Sequence, residues 1–161
     1  MLTSQRYEML RTALTALIGA DEQVDQNDFG ASVAVTLGDG VRPVSGEFLS
    51  LMLYTWEEGT GAVQTPAGTL LILTSDPATT AGDTSITSGE RLQVIGQIAV
   101  SASDWISDAN GGSCCIVDQP VPIHDLTTVY LLWFHEDATS FNDGAGDDEC
   151  LSCRLWYRRD T

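Results

Sequence analysis

From about residue 31 onward the apolar residues recur at every second position, in short runs separated by Gly, Asp, Asn, Ser, Thr and Pro. A period of two sends alternate side chains to opposite faces of an extended chain, so this pattern commits most of the sequence to β-structure half-buried on one side. Residues 31–37 form the first such run, closed by Gly38-Asp39-Gly40. In 47–56, Leu49, Leu51 and Leu53 alternate with Met52 and Tyr54. The run 62–74 ends in Leu70-Leu71-Ile72-Leu73, and a short strand is expected near Ile86 in the Thr- and Gly-rich stretch that follows. Further strands are expected at 91–100, at 113–118 after the turn Asn110-Gly111-Gly112, at 127–135 and at 149–158. The run 127–135 is continuously apolar and aromatic, as a central strand would be. Short strands in this number, with turn signals between them, predict an antiparallel sandwich, most simply an eight-stranded jelly roll.

The first residues read differently. Tyr7, Leu10, Leu14, Leu17 and Ile18 recur at helical spacing, with Ser4 before them and Gly19 after. This spacing predicts an amphipathic helix over 3–18. The expected organisation is an N-terminal helix in 1–20, an acidic linker in 21–30 and a β-sandwich in 31–161, with no second helical segment.

Charge narrows the function classes. The 161 residues carry 15 Asp and 8 Glu against seven Arg and no Lys, a net charge of -16. Residues 19–153 hold 21 of the acids against only Arg42 and Arg91, a net of -19, while residues 1–18 and 154–161 are mildly basic. Nucleic-acid backbones and anionic membrane surfaces repel such a body, so neither is an expected partner. No apolar run reaches the roughly 18–20 residues of a membrane span, and the first residues lack an apolar signal-peptide core. Dense carboxylates without Lys fit both adaptation to high salt and ordinary solubility.

The amphipathic N-terminus and the basic last strand are the expected contacts with a protein partner, through Arg6, Tyr7, Leu10, Arg11, Leu14, Trp156 and Arg158. Four cysteines, Cys114, Cys115, Cys150 and Cys153, lie in two predicted strands. Neighbours and residues three apart point to opposite faces of a strand, so all four cannot converge on one zinc ion without a bulge or turn. They read first as buried or semi-buried free thiols, and as disulfide candidates if the two strands are neighbours. The densest oxygen cluster, Asp137, Asn142, Asp143, Asp147, Asp148 and Glu149, carries hard-cation ligand types, with Gly144 and Gly146 among them. A Ca²⁺ or Mg²⁺ site there competes with an exposed hairpin loop, and no other cofactor is expected. The two histidines, His124 and His135, form no metal-binding cluster, and no nucleophile elbow, phosphate loop or zinc-protease motif occurs. An enzyme is therefore not expected. Trp56, Trp105 and Phe141 make an alternative sugar-stacking platform.

The short amphipathic start, the Thr/Gly/Asp-rich sandwich, the segment from Thr74 to Thr84, and the stretch from Val129 to Asp137 followed by Asn142 to Glu149 resemble small virion proteins of tailed viruses, of phages or haloarchaea. The resemblance spans about residues 44–160 and has no catalytic residues to carry over. It implies a capsid decoration or cement protein, a homotrimer located in the virion and bound to the major capsid protein or other virion proteins. The competing implication is a receptor- or glycan-binding module of a virion tail, turret or fibre.

Overall fold

The computed structural model describes residues 6–20, 22–57, 64–107, 112–142 and 149–160. These contain strands β1 (Tyr7–Arg11), β2 (Thr15–Ile18), β3 (Val33–Thr36), β4 (Val44–Glu57) and β5 (Gly68–Leu73). After a one-turn helix α1 (Ser88–Arg91) come β6 (Val94–Val100), β7 (Ile106–Ser107), β8 (Gly112–Leu126), β9 (Thr128–His135) and β10 (Glu149–Asp160). The first sheet runs β1–β10–β4–β8–β7, with β2 also on β10, and the second runs β3–β9–β5–β6. Every one of these pairings is antiparallel. With β1 and β2 taken as one interrupted strand and β7 as a short edge addition, this is the strand order of the expected eight-stranded jelly roll.

Alternation builds the core. Leu51 and Leu53 of β4, Leu155 of β10 and Val121 of β8 face inward from the first sheet, and Leu70 of β5, Ile98 of β6, and Leu131 and Trp133 of β9 meet them from the second. Strand β9 lies between β3 and β5. Its outer Leu132 is also buried, under a second cluster with Phe29, Leu73 and Ile86. Both faces of β9 are thus covered, which is why its sequence is continuously apolar. Ile86 belongs to that cover and not to a strand.

The helix expected over 3–18 is replaced, in its described part, by two strands. Tyr7 to Arg11 pair with Asp160 to Trp156, and Thr15 to Ile18 pair further along the same β10. The apolar residues here fit both periods. Leu10 packs against the core, Leu17 and Ile18 are buried in it, and Tyr7 and Met9 stay exposed. An isolated helix of this length is marginal in water, whereas the edge of β10 supplies a ladder of backbone partners. At the break between the two strands Thr12 is buried, and its hydroxyl accepts the backbone N–H of Leu155 at 3.0 Å.

The segment expected as a linker in 21–30 is likewise structured from residue 22 on. Val24 is fully buried and bridges Phe141, while Phe29 bridges Asp83 and Phe134. Helix α1 departs from the expectation of no second helical segment, and its cause is a capping box. The Thr87 hydroxyl accepts the N–H of Glu90, whose carboxylate accepts the N–H of Thr87. Strand β8 runs well past the expected 118, through Pro120 and Pro122. Among the described residues it has only β4 as a sheet neighbour beyond Cys114, and an edge tolerates proline.

Candidate interaction surface

The register of the first sheet fixes which side chains share its outer face. Arg11, Trp156, Ser50 and Asp118 form one row across β1, β10, β4 and β8. Arg154, Met52 and Ile116 form the next, and Ser152, Tyr54, Cys114 and Ile106 the one after. Cys150 and Trp56 lie in the row beyond. Among these, Ile106 is 74% exposed, Ile116 68%, Trp56 44% and Trp156 38%. The opposite alternation (Leu51, Leu53, Cys115, Cys153, Leu155) is buried. Large apolar residues therefore occupy both faces of this sheet, although only one face meets the core.

The expected partner-contact residues divide. Tyr7, Arg11, Trp156 and Arg158 share this outer face along β1 and β10, together with the exposed Met9 opposite Arg158. The guanidinium carbon of Arg11 lies 5.7 Å from the centre of the Trp156 ring, a cation–π contact. Arg6 is exposed just before β1, and Leu14 is exposed where β1 gives way to β2. Leu10 is corrected: its alternation turns it inward beside Tyr157, against the core. Of the seven arginines, Arg6, Arg11, Arg154, Arg158 and Arg159 lie on or beside β1 and β10. Arg159 pairs with Glu8, and Arg158 with Asp160 at 3.5 Å.

The sugar-stacking set is also corrected. Trp105 is buried and donates its indole N–H to the carbonyl of Pro66 at 3.0 Å. Phe141 is fully buried, edge-on to His135. Only Trp56 of the three is exposed. Sequence spacing could not show that the residues after β6 fold back over the end of β5.

The disulfide reading fails on strand order, because β4 lies between β8 and β10. Cys115 and Cys153 both flank Leu53 on the inner face, and Cys114 lies beside Tyr54 on the outer one. Two sheet spacings separate such residues by about 9–10 Å, beyond the reach of a disulfide, and none of the four is in one. Burial pushes the Cys115 thiol up to about 11 and the Cys153 thiol to about 12.

Of the oxygen cluster, Asp143, Asp147 and Asp148 and the side chain of Glu149 lie outside the described residues. The other two are occupied by the fold itself. Asp137 accepts the N–H of Thr139 at 3.0 Å, and the Asn142 amide donates to the carbonyls of Gly19 and Glu22. Among the described residues no three of His, Cys, Asp and Glu are placed to hold a metal. His135 is buried, its Nε2 2.8 Å from the carbonyl oxygen of Thr139, and Glu136 accepts the Thr69 hydroxyl at 2.8 Å. Those two side chains point apart, as strand alternation requires. A groove of about 590 Å³ lies on the outer side of the second sheet, with Phe29, Leu71 and Phe134 in its lining beside Arg91 and Glu136.

No family model and no curated protein matches the chain. Among solved structures, it is similar to one from Desmodium yellow mottle tymovirus, at 11% identity and a TM-score of 0.36 over 100% of this chain and 91% of that one. It is similar to the Macrobrachium rosenbergii nodavirus semi-empty VLP, at 12% identity and a TM-score of 0.37 over 99% and 85%. It is also similar to the 60-mer BFDV capsid protein, at 10% identity and a TM-score of 0.33 over 99% and 95%. The superpositions are loose, and the jelly-roll assignment rests on this chain's own strand order.

Proposed function

We propose that the chain is a non-enzymatic structural protein of a virus particle, of the capsid decoration type, located in the virion. In this reading it docks on the capsid lattice with the outer end of β1 and β10. The observation that carries it is the segregation of charge: five of seven arginines gather on or beside the first and last strands of a chain whose net charge is -16. Tyr7, 62% exposed, and Met9 stand on the same face as Arg158. Aromatic and Met side chains with arginine are the mixture enriched at protein interfaces. The acidic remainder keeps the unassembled domain soluble and repels nucleic acid.

Co-sedimentation with shells assembled from the major capsid protein of the same genome tests this reading. The wild-type chain should sediment with the shells, and the Tyr7→Glu, Arg158→Glu double variant should stay in the supernatant with an unchanged far-UV spectrum. A wild-type chain that never sediments, or a double variant that still does, overturns it. Deleting residues 1–20 is not a usable test, because it removes two strands from β10.

A further inference from the structure

The geometry points to a second copy of this chain as the occupant of the first sheet's outer face, packed face to face about a two-fold axis that runs parallel to β4. This inference does not need the capsid reading, because it concerns the free protein and a different part of the face.

The surface has the size and character of an interface centre. Strands spaced about 4.8 Å apart and rising about 3.3 Å per residue make the area from the β1–β2 edge to β7, between the rows of Ser50 and Trp56, about 20 Å on a side. That is on the order of 400 Å² of sheet face, apolar at its centre and carrying Arg11, Arg154 and Asp118 on its flanks. It is about half of the roughly 800 Å² per partner of a standard interface, which leaves the remainder for a polar rim.

The distribution of charge selects the partner. An arginine flank, Arg11 and Arg154, lies on one side of β4, and Asp118 lies on the other. Between them stand Met52, Tyr54 and Trp56. A two-fold axis parallel to β4 and above it carries the β10 side of one copy over the β8 side of the other. Met52, Tyr54 and Trp56 then meet their own equivalents. Asp118 faces the Arg11–Trp156 pair of the second copy, since all three lie in the row of Ser50. The contact is isologous, so each such pair occurs twice. It gives a dimer, where the sequence resemblance implied a trimer.

Salt supplies a signature. Two chains of net charge -16 repel each other across the whole contact, and molar salt shortens the screening length from about 10 Å to about 3 Å. Two exposed Arg–Asp pairs contribute little by comparison. Association should therefore tighten with salt.

Sedimentation equilibrium of the full chain at 0.1 M and 1 M NaCl is the test. A dimer is expected, at least about ten-fold tighter in 1 M salt. Ile116→Arg, at an exposed position that the axis sets against Arg154 of the second copy in the row of Met52, should abolish it without changing the far-UV spectrum or melting temperature, and Ile106→Glu provides a further test on β7. Arg11→Asp should weaken the dimer about ten-fold, and adding Asp118→Arg should restore it to within about three-fold of wild type. Labelling of the exposed Cys114 should slow as the protein concentration rises. A wild-type chain that stays monomeric at about 0.5 mM in 1 M salt overturns the inference, as does Cys114 labelling that is indifferent to protein concentration. So does a dimer indifferent to both Ile116→Arg and Ile106→Glu, or a double swap that fails to restore what Arg11→Asp removes. Loss of shell binding with the dimer intact would count against the capsid reading alone.

Discussion

Thr12 and Leu155 exchange two hydrogen bonds: the backbone N–H of Thr12 donates to the carbonyl of Leu155 at 2.9 Å, and the Thr12 hydroxyl accepts the N–H of Leu155 at 3.0 Å. The pair joins the start of the sheet to its last strand at the point where β1 and β2 are interrupted. The side chain takes over a bond that the backbone ladder would otherwise make. Thr12→Val keeps the shape and β-propensity but leaves the Leu155 N–H buried without an acceptor. It should cost about 1–3 kcal/mol in urea unfolding, while Thr12→Ser should cost less than half of that. Equal stability of the valine variant and wild type would show that the N-terminal strands do not contribute to the cooperative fold.

Gly46 tests the pairing of β4 with β10. A Cβ there would collide with the Arg158 carbonyl oxygen, which is backbone and cannot step aside. Gly46→Ala should therefore destabilise by several kcal/mol or prevent folding, in the class of forced backbone rearrangements. Gly89 in α1 is the control, because its added Cβ meets nothing closer than the Thr87 hydroxyl at 4.0 Å. Gly89→Ala should be neutral or stabilising by up to about 1 kcal/mol. Matching melting temperatures for the two variants would contradict the strand register.

Acid should unfold the domain partly through its turns. Asp39 is held well below the ordinary carboxylate value by the backbone N–H of Arg42, then by that of Val41 and by the Arg42 guanidinium. Asp76 is lowered by the Ser32 hydroxyl and the Ala78 N–H, and Asp104 by the backbone N–H and the hydroxyl of Ser101. A carboxyl whose folded pKa is depressed contributes stability above its unfolded value, and that contribution is lost as pH falls through the folded value. Wild-type stability should thus drop below about pH 4. The triple variant Asp39→Asn, Asp76→Asn, Asp104→Asn should show a shallower drop in chemical denaturation between about pH 5 and pH 2. Parallel curves would remove these turns from the account.

The thiols should separate by face. With the Cys115 thiol up at about 11, about one molecule in a thousand carries that thiolate at pH 8. Cys153, at about 12, is scarcer still, and both side chains are buried. Mass spectrometry after brief labelling of dilute native protein should find Cys114 modified, with Cys115 and Cys153 reacting only on unfolding. Early modification of Cys153 would mean that the core opens locally at β10.

Most strands from β3 to β10 are legible in the sequence because they alternate, and β9 is legible as central because both its faces are apolar. The capping box at Thr87 and Glu90 is a local signal too, since its two partners stand three residues apart. The pattern in 7–18 is not decisive, because Leu10, Leu14 and Leu17 satisfy a helix while Leu10 and Thr12 satisfy a strand. For the candidate surface, sequence points to Tyr7, Arg11, Trp156 and Arg158, but it assigns them to a detached helix and a strand end. The structure puts them on one sheet face. Trp105 and Phe141 carry no sign of their burial, because loops have no period from which to read one.

The sequence by itself determined that this is an acidic, mainly β domain with an apolar stripe on each strand, because charge and alternation are properties of neighbours along the chain. The tertiary structure alone decided which strands adjoin. That placed β4 between the two cysteine-bearing strands, laid the N-terminal strands along the open edge of β10, and aligned Arg11, Trp156, Ser50 and Asp118 in one row. Register depends on contacts between residues far apart in the chain, as Arg11 and Trp156 are. No local pattern encodes them, and it is the burial of one shared core that selects them.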